Sequence, residues 1–246
     1  MKIAILDADH LSPSIIRRYG NYADKIIHLL SPMKSQLQNN ITFSRYDATK
    51  RQLPKSLSEY NLYIITGSQY STYENKQWIR DLEKLIIKIH NKKIKLIGIC
   101  FGHQLIAQSL GGKVEKNPKG WELGITATHI LNTYPWMEPS REFLFTLVSH
   151  QDQIIQLPED AIHFAETNLC KYSGYTIGNH ILGMQCHPEF SKKYVRLIIQ
   201  LQSKQLSSQD KKSAISSLNQ ATDQDVISRW LIHFSQNQVV TSVTEN

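Results

Sequence analysis

An apolar run that ends at a cysteine and passes directly into a helical pattern constrains the fold more than any other part of the sequence. Residues 94–99 are apolar enough to form a buried β-strand, and a helix is predicted to begin just after Cys100. Gly98 and Gly102 lie two residues on either side of Cys100 and carry no side chains that could collide in so sharp a turn. The pattern predicts a nucleophile elbow, which exposes the thiol of Cys100.

The position of Cys100 also favours a reactive thiol. It precedes the first turn of the predicted helix, where the partial positive charge of a helix N-terminus favours the nucleophilic thiolate. The backbone N–H of Phe101 points toward the same place and can donate to the oxyanion of a tetrahedral intermediate. A structural cysteine in the core is the alternative, but the two flanking glycines favour the nucleophile.

Strands and helices alternate through the first half of the sequence. Residues 2–6, 61–66 and 94–99 have the pattern of strands, and residues 76–92 have apolar side chains at helical spacing. Such alternation predicts an α/β fold with a mostly parallel central sheet flanked by helices. Ligands of these sheets bind at the carboxyl ends of the strands, so we expect the functional site there.

The second half is β-rich, with helical patterns only near its end. Residues 203–225 are polar and form either a loop or a surface helix, and apolar residues from Val226 to Phe234 restore helical spacing. We expect one domain over residues 1–205, and over residues 206–246 a helical extension with a polar tail that docks on it. Five strand-like runs are predicted, at 124–131, 143–149, 161–166, 172–177 and 181–185.

Composition excludes several classes of protein. No apolar run of the 246 residues approaches the ~18 residues of a membrane span. Asp7 ends the first apolar run too early for a signal peptide. The three cysteines are too few for a disulfide framework and fit a reducing compartment, so we expect a cytoplasmic protein.

Neither a metal nor a nucleic acid is predicted as a ligand. The histidines and cysteines lack metal-ligand spacing, so no metal site is expected. A basic stripe recurs every four residues along the predicted helix, but such stripes are usually the solvated face of an amphipathic helix, and no nucleic-acid motif accompanies this one. Its members are Lys76, Arg80, Lys84, Lys88 and Lys92.

A nucleophilic thiol needs a base, and the segment around His187 offers one. An apolar run ends at His187, Pro188 breaks the strand, and Glu189 follows. A carboxylate so close can orient the imidazole and stabilise its protonated form, which would complete a Cys-His-Glu triad.

Together these motifs resemble the class I, or triad-type, glutamine amidotransferase family. The resemblance rests on Gly-Ile-Cys-Phe-Gly-His-Gln at 98–104 and on His-Pro-Glu at 187–189, and the loop at 65–75 supports it. The sequence is similar to standalone members, to plant-type γ-glutamyl peptidases and to the glutaminase domain of GMP synthetase. The resemblance implies a flavodoxin-like, three-layer sheet of seven or more strands.

The resemblance also assigns roles within the site. Cys100, His187 and Glu189 would form the catalytic triad. Backbone N–H groups of Gly67 or Ser68 would join that of Phe101 in the oxyanion hole, and Gln104, Ser149 and His150 would bind the glutamine. The segment at 119–124 also resembles a family motif near the pocket, although Glu122 within it receives no definite role. No dissociable cofactor is required.

The implied reaction is hydrolysis of the γ-amide of glutamine to glutamate and ammonia, through a γ-glutamyl thioester. A γ-glutamyl peptidase acting on glutathione-like compounds is the first alternative, because Cys186 and Gln151 replace the aromatic residue and the glycine usual in synthetase-linked members. An inactive regulatory or anion-binding module on the same fold is the second. A synthetase subunit would have to act in trans, because no P-loop is present.

Overall fold

The computed structural model describes residues 1–32, 41–202 and 204–237. Within these residues eleven β-strands and seven α-helices follow one another. The strands are β1 (Lys2–Asp7), β2 (Thr42–Asp47), β3 (Leu62–Ile65), β4 (Lys95–Ile99), β5 (Lys113–Lys116), β6 (Glu122–Ile130), β7 (Phe143–His150), β8 (Asp152–Gln156), β9 (Ala161–Glu166), β10 (Gly174–Ile177) and β11 (Ile181–Met184). The helices are α1 (Pro13–Tyr19), α2 (Tyr22–Leu30), α3 (Gln77–Asn91), α4 (Phe101–Ser109), α5 (Lys192–Leu201), α6 (Ser208–Ser217) and α7 (Gln224–Gln236).

Nine strands form one sheet in the order β2-β1-β3-β4-β11-β10-β9-β6-β7, and β5 pairs with β8 in a small second sheet. The pairs from β2 to β11 are parallel, whereas those from β11 to β7 are antiparallel. Each antiparallel pair reverses the strand direction, so β9 and β7 again run parallel to β11. Within the nine-stranded sheet only β10 and β6 run opposite to the other seven strands. The sheet is therefore mostly parallel, as predicted, and β1, β3, β4, β7 and β11 all end toward one edge.

Helices cover both faces of the sheet, because side chains alternate along each buried strand. Ile3 and Ile5 of β1 join one apolar core with residues of α2 and α7. Ala4 and Leu6 of the same strand join a second core with residues of α3 and α4. The three layers confirm the predicted α/β class.

Five elements were not predicted from the sequence: helices α1 and α2 and strands β2, β5 and β8. Strand β2 lies at the sheet edge with every residue at least partly exposed, so it lacks a continuous apolar run. Helix α1 buries no residue and therefore has no apolar face that its sequence could show. The main sequence signal for α2 is the capping box between Asn21 and Asp24. The small strands β5 and β8 also lacked a recognisable signal.

Other predicted elements differ in detail. The strand predicted at 172–177 begins only at Gly174. The polar stretch at 203–225 contains the surface helix α6, which buries Ala214 alone. Most of the predicted polar tail, residues 238–246, lies outside the described residues.

The C-terminal helices contact both halves of the sheet. The Oγ of Ser217 in α6 accepts a hydrogen bond from the Ile125 N–H of β6 at 2.8 Å. Trp230 of α7 is fully buried, and its Nε1 donates to the Pro139 carbonyl at 3.1 Å. No helix of the described residues is both long and apolar enough to cross a bilayer.

Candidate active site

Cys100 lies at the turn between β4 and α4 in a backbone conformation that residues with side chains rarely adopt, with φ +51° and ψ −104°. Close packing requires glycine on both sides of it. A Cβ on Gly98 would lie 2.6 Å from backbone atoms of Gly102 and His103. A Cβ on Gly102 would overlap the Ile65 carbonyl oxygen. The turn therefore holds the cysteine at the carboxyl edge of the sheet, at the start of α4.

Cys100 is the cysteine that faces the cavity at this edge of the sheet. Cys170 and Cys186 are also buried, but neither lines that cavity. Burial raises the pKa of Cys186 to about 12 and raises that of Cys170 as well, so both remain thiols at neutral pH. Cys100 is thus the cysteine with access to a ligand.

His187 and Glu189 follow β11 and form a buried pair beside Cys100. The Nδ1 of His187 lies 2.8 Å from Glu189 Oε1, and the side chains are 3% and 0% exposed. The imidazole stacks on Phe190 with ring centroids 3.9 Å apart, and the His187 backbone N–H donates to the Leu147 carbonyl of β7 at 2.8 Å. These contacts fix the ring, and Cys100 lies close enough to interact with it electrostatically.

The electrostatic surroundings favour a charged His187. Burial alone would lower the pKa of His187, but negative charge on Cys100 and Glu189 and the hydrogen bonds to both outweigh it, so the pKa is raised. A protonated imidazole held next to a cysteine can give its proton to a leaving group.

The loop after β3 lies against the His187 ring. A Cβ on Gly67 would be 2.7 Å from His187 Cε1, which places the backbone of Gly67 in contact with the imidazole. Ser68 Oγ donates to the Ala8 carbonyl at 2.7 Å and accepts from the Tyr70 N–H at 3.2 Å, so its hydroxyl is engaged within the protein. What this loop can offer a developing negative charge is its backbone N–H groups, together with that of Phe101 at the start of α4.

Asp9, which the sequence analysis missed, clamps this loop. One carboxylate oxygen accepts from the Gln69 backbone N–H at 2.9 Å, and the other accepts from Gln69 Nε2 at 2.8 Å and from the His10 N–H at 2.7 Å. Asp9 is 5% exposed and follows β1, whose carboxyl end lies beside that of β3. Its position two residues after a buried strand was the signal that could have identified it.

Gln104, Ser149 and His150 come together on another wall of the cavity. Gln104 Nε2 donates to the Asp152 carbonyl at 2.8 Å and to Gln185 Oε1 at 2.9 Å. With both Nε2 hydrogens engaged, Gln104 has its Oε1 oxygen to offer a ligand. His150 Nδ1 lies 3.1 Å from the same Asp152 carbonyl, so the two side chains are neighbours.

The cavity has a volume of about 660 Å³, within the ~300–1,000 Å³ typical of small-molecule sites. It extends from Cys100 to Trp121 and to Gln202 and Gln205 beyond the end of α5. Trp121 Nε1 donates to Gln205 Oε1 at 3.2 Å, so these two lining residues contact each other. No group of three or more His, Cys, Asp or Glu side chains arranged to hold a metal occurs within residues 1–32, 41–202 and 204–237.

Fold and site define an α/β protein with a cysteine at a strand-to-helix elbow and a histidine–carboxylate pair beside it. Residues 20–196, well over half of the chain, match the class I glutamine amidotransferase family. The chain belongs to that family, which confirms the resemblance predicted from the sequence.

Proteins similar in sequence are named either as glutamine amidotransferases or as γ-glutamyl peptidases. A glutamine amidotransferase-like protein of Schizosaccharomyces pombe is 28% identical over 242 residues, covering 94% of this chain and 97% of that protein. Gamma-glutamyl peptidase 4 of Arabidopsis thaliana is 30% identical over 185 residues, covering 72% of this chain and 70% of that protein. The relatives are thus named for amidotransferase and peptidase activities.

A solved structure shares the fold. The crystal structure of a glutamine amidotransferase from Thermotoga maritima superimposes with a TM-score of 0.76 at 18% identity, covering 96% of this chain and 98% of that one. At this identity the likeness concerns the fold.

Proposed function

We propose that the chain is a cysteine hydrolase that cleaves the γ-amide bond of a γ-glutamyl compound, with Cys100 as nucleophile and His187 and Glu189 completing a triad. The observation that carries the proposal is the buried His187–Glu189 pair, 2.8 Å apart, beside the cysteine that faces the cavity. Family membership supports the reaction class, and the chemistry follows from the positions of the groups.

The first half of the reaction forms a thioester. The Cys100 thiolate attacks the γ-carbonyl carbon, and the resulting oxyanion accepts hydrogen bonds from backbone N–H groups of Phe101 and of Gly67 or Ser68. His187 then gives its proton to the nitrogen as the carbon–nitrogen bond breaks. Ammonia or an amine leaves, and a γ-glutamyl thioester remains on Cys100.

The second half restores the enzyme. His187, now neutral, accepts a proton from water as the water oxygen attacks the thioester carbonyl. The carbon–sulfur bond breaks, glutamate leaves and Cys100 returns as a thiolate. Glu189 orients the ring through its bond to Nδ1 and stabilises the imidazolium before and after the attack. Gln104, Ser149 and His150 would hold the α-amino and α-carboxylate groups of the glutamyl part.

A γ-glutamyl peptide is the second candidate substrate, favoured by the size of the cavity. Free glutamine is far smaller than the drug-sized ligands that cavities of this volume bury. The cavity is also lined by Trp121 and Gln205, and the space beside them would take the leaving part of a peptide. A larger leaving group needs no ammonia acceptor, so this activity would need no synthetase partner in trans.

The test is glutamate release by the purified chain from glutamine, glutathione and γ-glutamyl dipeptides, without ATP, before and after addition of cell extract. We expect hydrolysis without extract, loss of activity in Cys100→Ala, and retained activity in Cys170→Ala, the matched control at a cysteine away from the cavity. Turnover of glutamine that appears only with extract would instead indicate a partner-dependent amidotransferase. No hydrolysis under any of these conditions would contradict the proposed function.

A further inference from the structure

An apolar wall of the cavity starts beside the triad and continues along α5. Phe190 stacks on the His187 ring with centroids 3.9 Å apart, and Tyr194 packs edge-on against Phe190 with centroids 4.8 Å apart. Ile198 and Leu201 follow Tyr194 at positions i+4 and i+7, which lie on one face of an α-helix. All four of these apolar side chains line the cavity. The wall therefore leads from the triad histidine to the end of α5.

This wall is long enough to contact a ligand group of several carbon atoms. At ~1.5 Å per residue, the turns from Tyr194 to Leu201 cover about 10 Å of helix. Leu11 and Ile15 also line the cavity, and they pack against the apolar cluster that contains Tyr194. Leu201 is 61% exposed although it lines the cavity, so an apolar ligand group would remove part of its surface from water.

Uncharged side chains make up this wall, because none of the described cavity-lining residues at 11–15 and 190–205 is charged. The lysine of the cavity, Lys116 of β5, is instead aligned with Asp152 of β8 in the small sheet. Asp152 lies beside the glutamyl wall, where its carbonyl accepts from Gln104. A carboxylate or an ammonium group placed along α5 would lose water without gaining a partner of opposite charge.

The reaction brings the leaving group to the same wall. In the proposed mechanism His187 protonates the nitrogen that leaves, so any group on this nitrogen lies near His187 and its stacking partner Phe190. Ammonia, the leaving group of glutamine, has no carbon atom and would leave the wall in contact with water. An alkyl or aryl group on the nitrogen would cover it instead, and the burial of apolar surface would stabilise the bound substrate.

We propose that the preferred substrates are γ-glutamyl amides of uncharged, apolar amines, whose alkyl or aryl group lies along Tyr194, Ile198 and Leu201. The inference deepens the proposed function and rests on it for the reaction. The carbon–nitrogen bond breaks, water supplies the hydroxyl group of glutamate, and its proton goes to the amine. Ile198 and Leu201 are then specificity-determining residues that contact the leaving group and not the reacting atoms.

The kinetic test compares γ-glutamyl methylamide with γ-glutamyl pentylamide. Both are secondary amides of simple alkylamines, so their chemical reactivity is matched and they differ in the length of the alkyl group. Each buried methylene group favours binding about fourfold, and we expect kcat/KM to be about 10- to 100-fold higher for the pentylamide. The γ-glutamyl amide of 5-aminopentanoate, which replaces the terminal methyl group by a carboxylate, should lose most of this gain. Equal kcat/KM for methylamide and pentylamide would overturn the inference.

Matched truncations on α5 test the wall itself. Ile198 and Leu197 are both half-buried and pack against the same apolar cluster, but Leu197 does not line the cavity. We expect Ile198→Ala to reduce the preference for the pentylamide about three- to tenfold, and Leu197→Ala to keep it. An unchanged preference in Ile198→Ala, or the same loss in both variants, would overturn the placement of the alkyl group.

An added charge tests the far end of the wall at positions that tolerate substitution. Leu201 and Gln200 are both exposed, and Leu201 lines the cavity whereas Gln200 does not. Leu201→Arg should raise kcat/KM for the 5-aminopentanoate amide relative to the pentylamide about 10-fold, because the guanidinium can pair with the terminal carboxylate. Gln200→Arg adds the same charge and should leave this ratio near that of wild type. An equal ratio in the two variants would contradict the proposed position of the chain end.

Calorimetry with Cys100→Ala measures binding without reference to turnover. We expect this variant to bind the pentylamide about 10-fold or more tightly than the methylamide. Tighter binding of the pentylamide, with no hydrolysis by wild type, would support the apolar wall and contradict the proposed function. Hydrolysis of both amides by wild type, with equal affinities in Cys100→Ala, would support the proposed function and overturn the inference. Binding of neither amide would also overturn it.

Discussion

At the scale of single residues, Cys100 shows how much a short motif can reveal. Its positive φ places the side chain at the edge of the sheet, and the glycines on either side are required by contacts under 3 Å that any Cβ would make. The spacing of those glycines is visible in the sequence, so the elbow could be predicted. The contacts themselves, such as Gly102 against Ile65, join parts of the chain that the sequence does not connect.

His103, three residues after Cys100, carries a testable consequence for stability. Its ring is fully buried against Tyr175, and burial lowers the pKa from 6.5 to about 3. Between these values the unfolded chain binds a proton that folded His103 does not, so this residue makes stability fall as the pH falls. Above pH 6.5 neither state is protonated and the contribution vanishes.

We expect His103→Gln to reduce the slope of unfolding free energy against pH, between pH 4 and 6, by about 1.4 kcal/mol per pH unit. Denaturant unfolding at several pH values measures the slope, with the exposed substitution His28→Gln measured in parallel. The same slope in His103→Gln as in wild type would mean that His103 is protonated in the folded protein.

At the scale of elements, the loops at the carboxyl ends of the strands make the site, and here the sequence reveals less. Buried strands and amphipathic helices have clear apolar periods, so β3, β4, α3 and α7 were predicted close to their observed bounds. Edge strand β2 and the surface helices lack such periods. Contacts between loops, such as Asp9 with Gln69, join residues 60 positions apart and cannot be seen in one sequence.

Asp9 offers a test of how the loop after β3 is held. Replacing its carboxylate in Asp9→Ala removes acceptors from both the backbone and the side chain of Gln69. If this loop supplies oxyanion donors, their misplacement weakens the transition state more than substrate binding. We expect kcat to fall about 10- to 100-fold, with KM within a few-fold of wild type.

The graded control is Gln69→Ala, which keeps the backbone bond to Asp9 and loses only the Nε2 bond. Its kcat should lie between those of wild type and Asp9→Ala. Steady-state kinetics on the best γ-glutamyl substrate measures both variants. A rise in KM with unchanged kcat would place Asp9 in substrate binding instead.

At the scale of the whole molecule, the C-terminal extension is tied to the site. Gln224, the first residue of α7, donates through Nε2 to the Pro188 carbonyl at 2.6 Å, and Asp223 N–H donates to the Phe145 carbonyl of β7 at 3.0 Å. The apolar face of α7 completes the core beneath β1. We therefore propose that residues 206–237 of the predicted extension belong to the same folding unit as the domain predicted over residues 1–205.

Trp230 tests that proposal with a single substitution. It is fully buried and packs edge-on against Trp136 with ring centroids 6.1 Å apart. We expect Trp230→Ala to lower the free energy of unfolding by about 3–5 kcal/mol, in one cooperative transition for the whole chain. The half-buried Trp121→Ala is the control and should cost far less. A small loss in Trp230→Ala, or two separate transitions, would indicate that the extension folds apart from the rest.

The central claim is that Cys100 attacks the γ-carbonyl of a bound γ-glutamyl group, and active-site labelling tests it most directly. A diazoketone analogue of glutamine places its diazo carbon near that carbonyl position. Protonation of this carbon by the His187 imidazolium makes it electrophilic, and the thiolate then displaces dinitrogen and forms a stable carbon–sulfur bond. Peptide mass spectrometry then locates the adduct among Cys100, Cys170 and Cys186. We predict one adduct per chain, on Cys100, formed more slowly when a γ-glutamyl substrate competes and abolished in His187→Ala. An adduct on either other cysteine, or none on Cys100, would contradict the account.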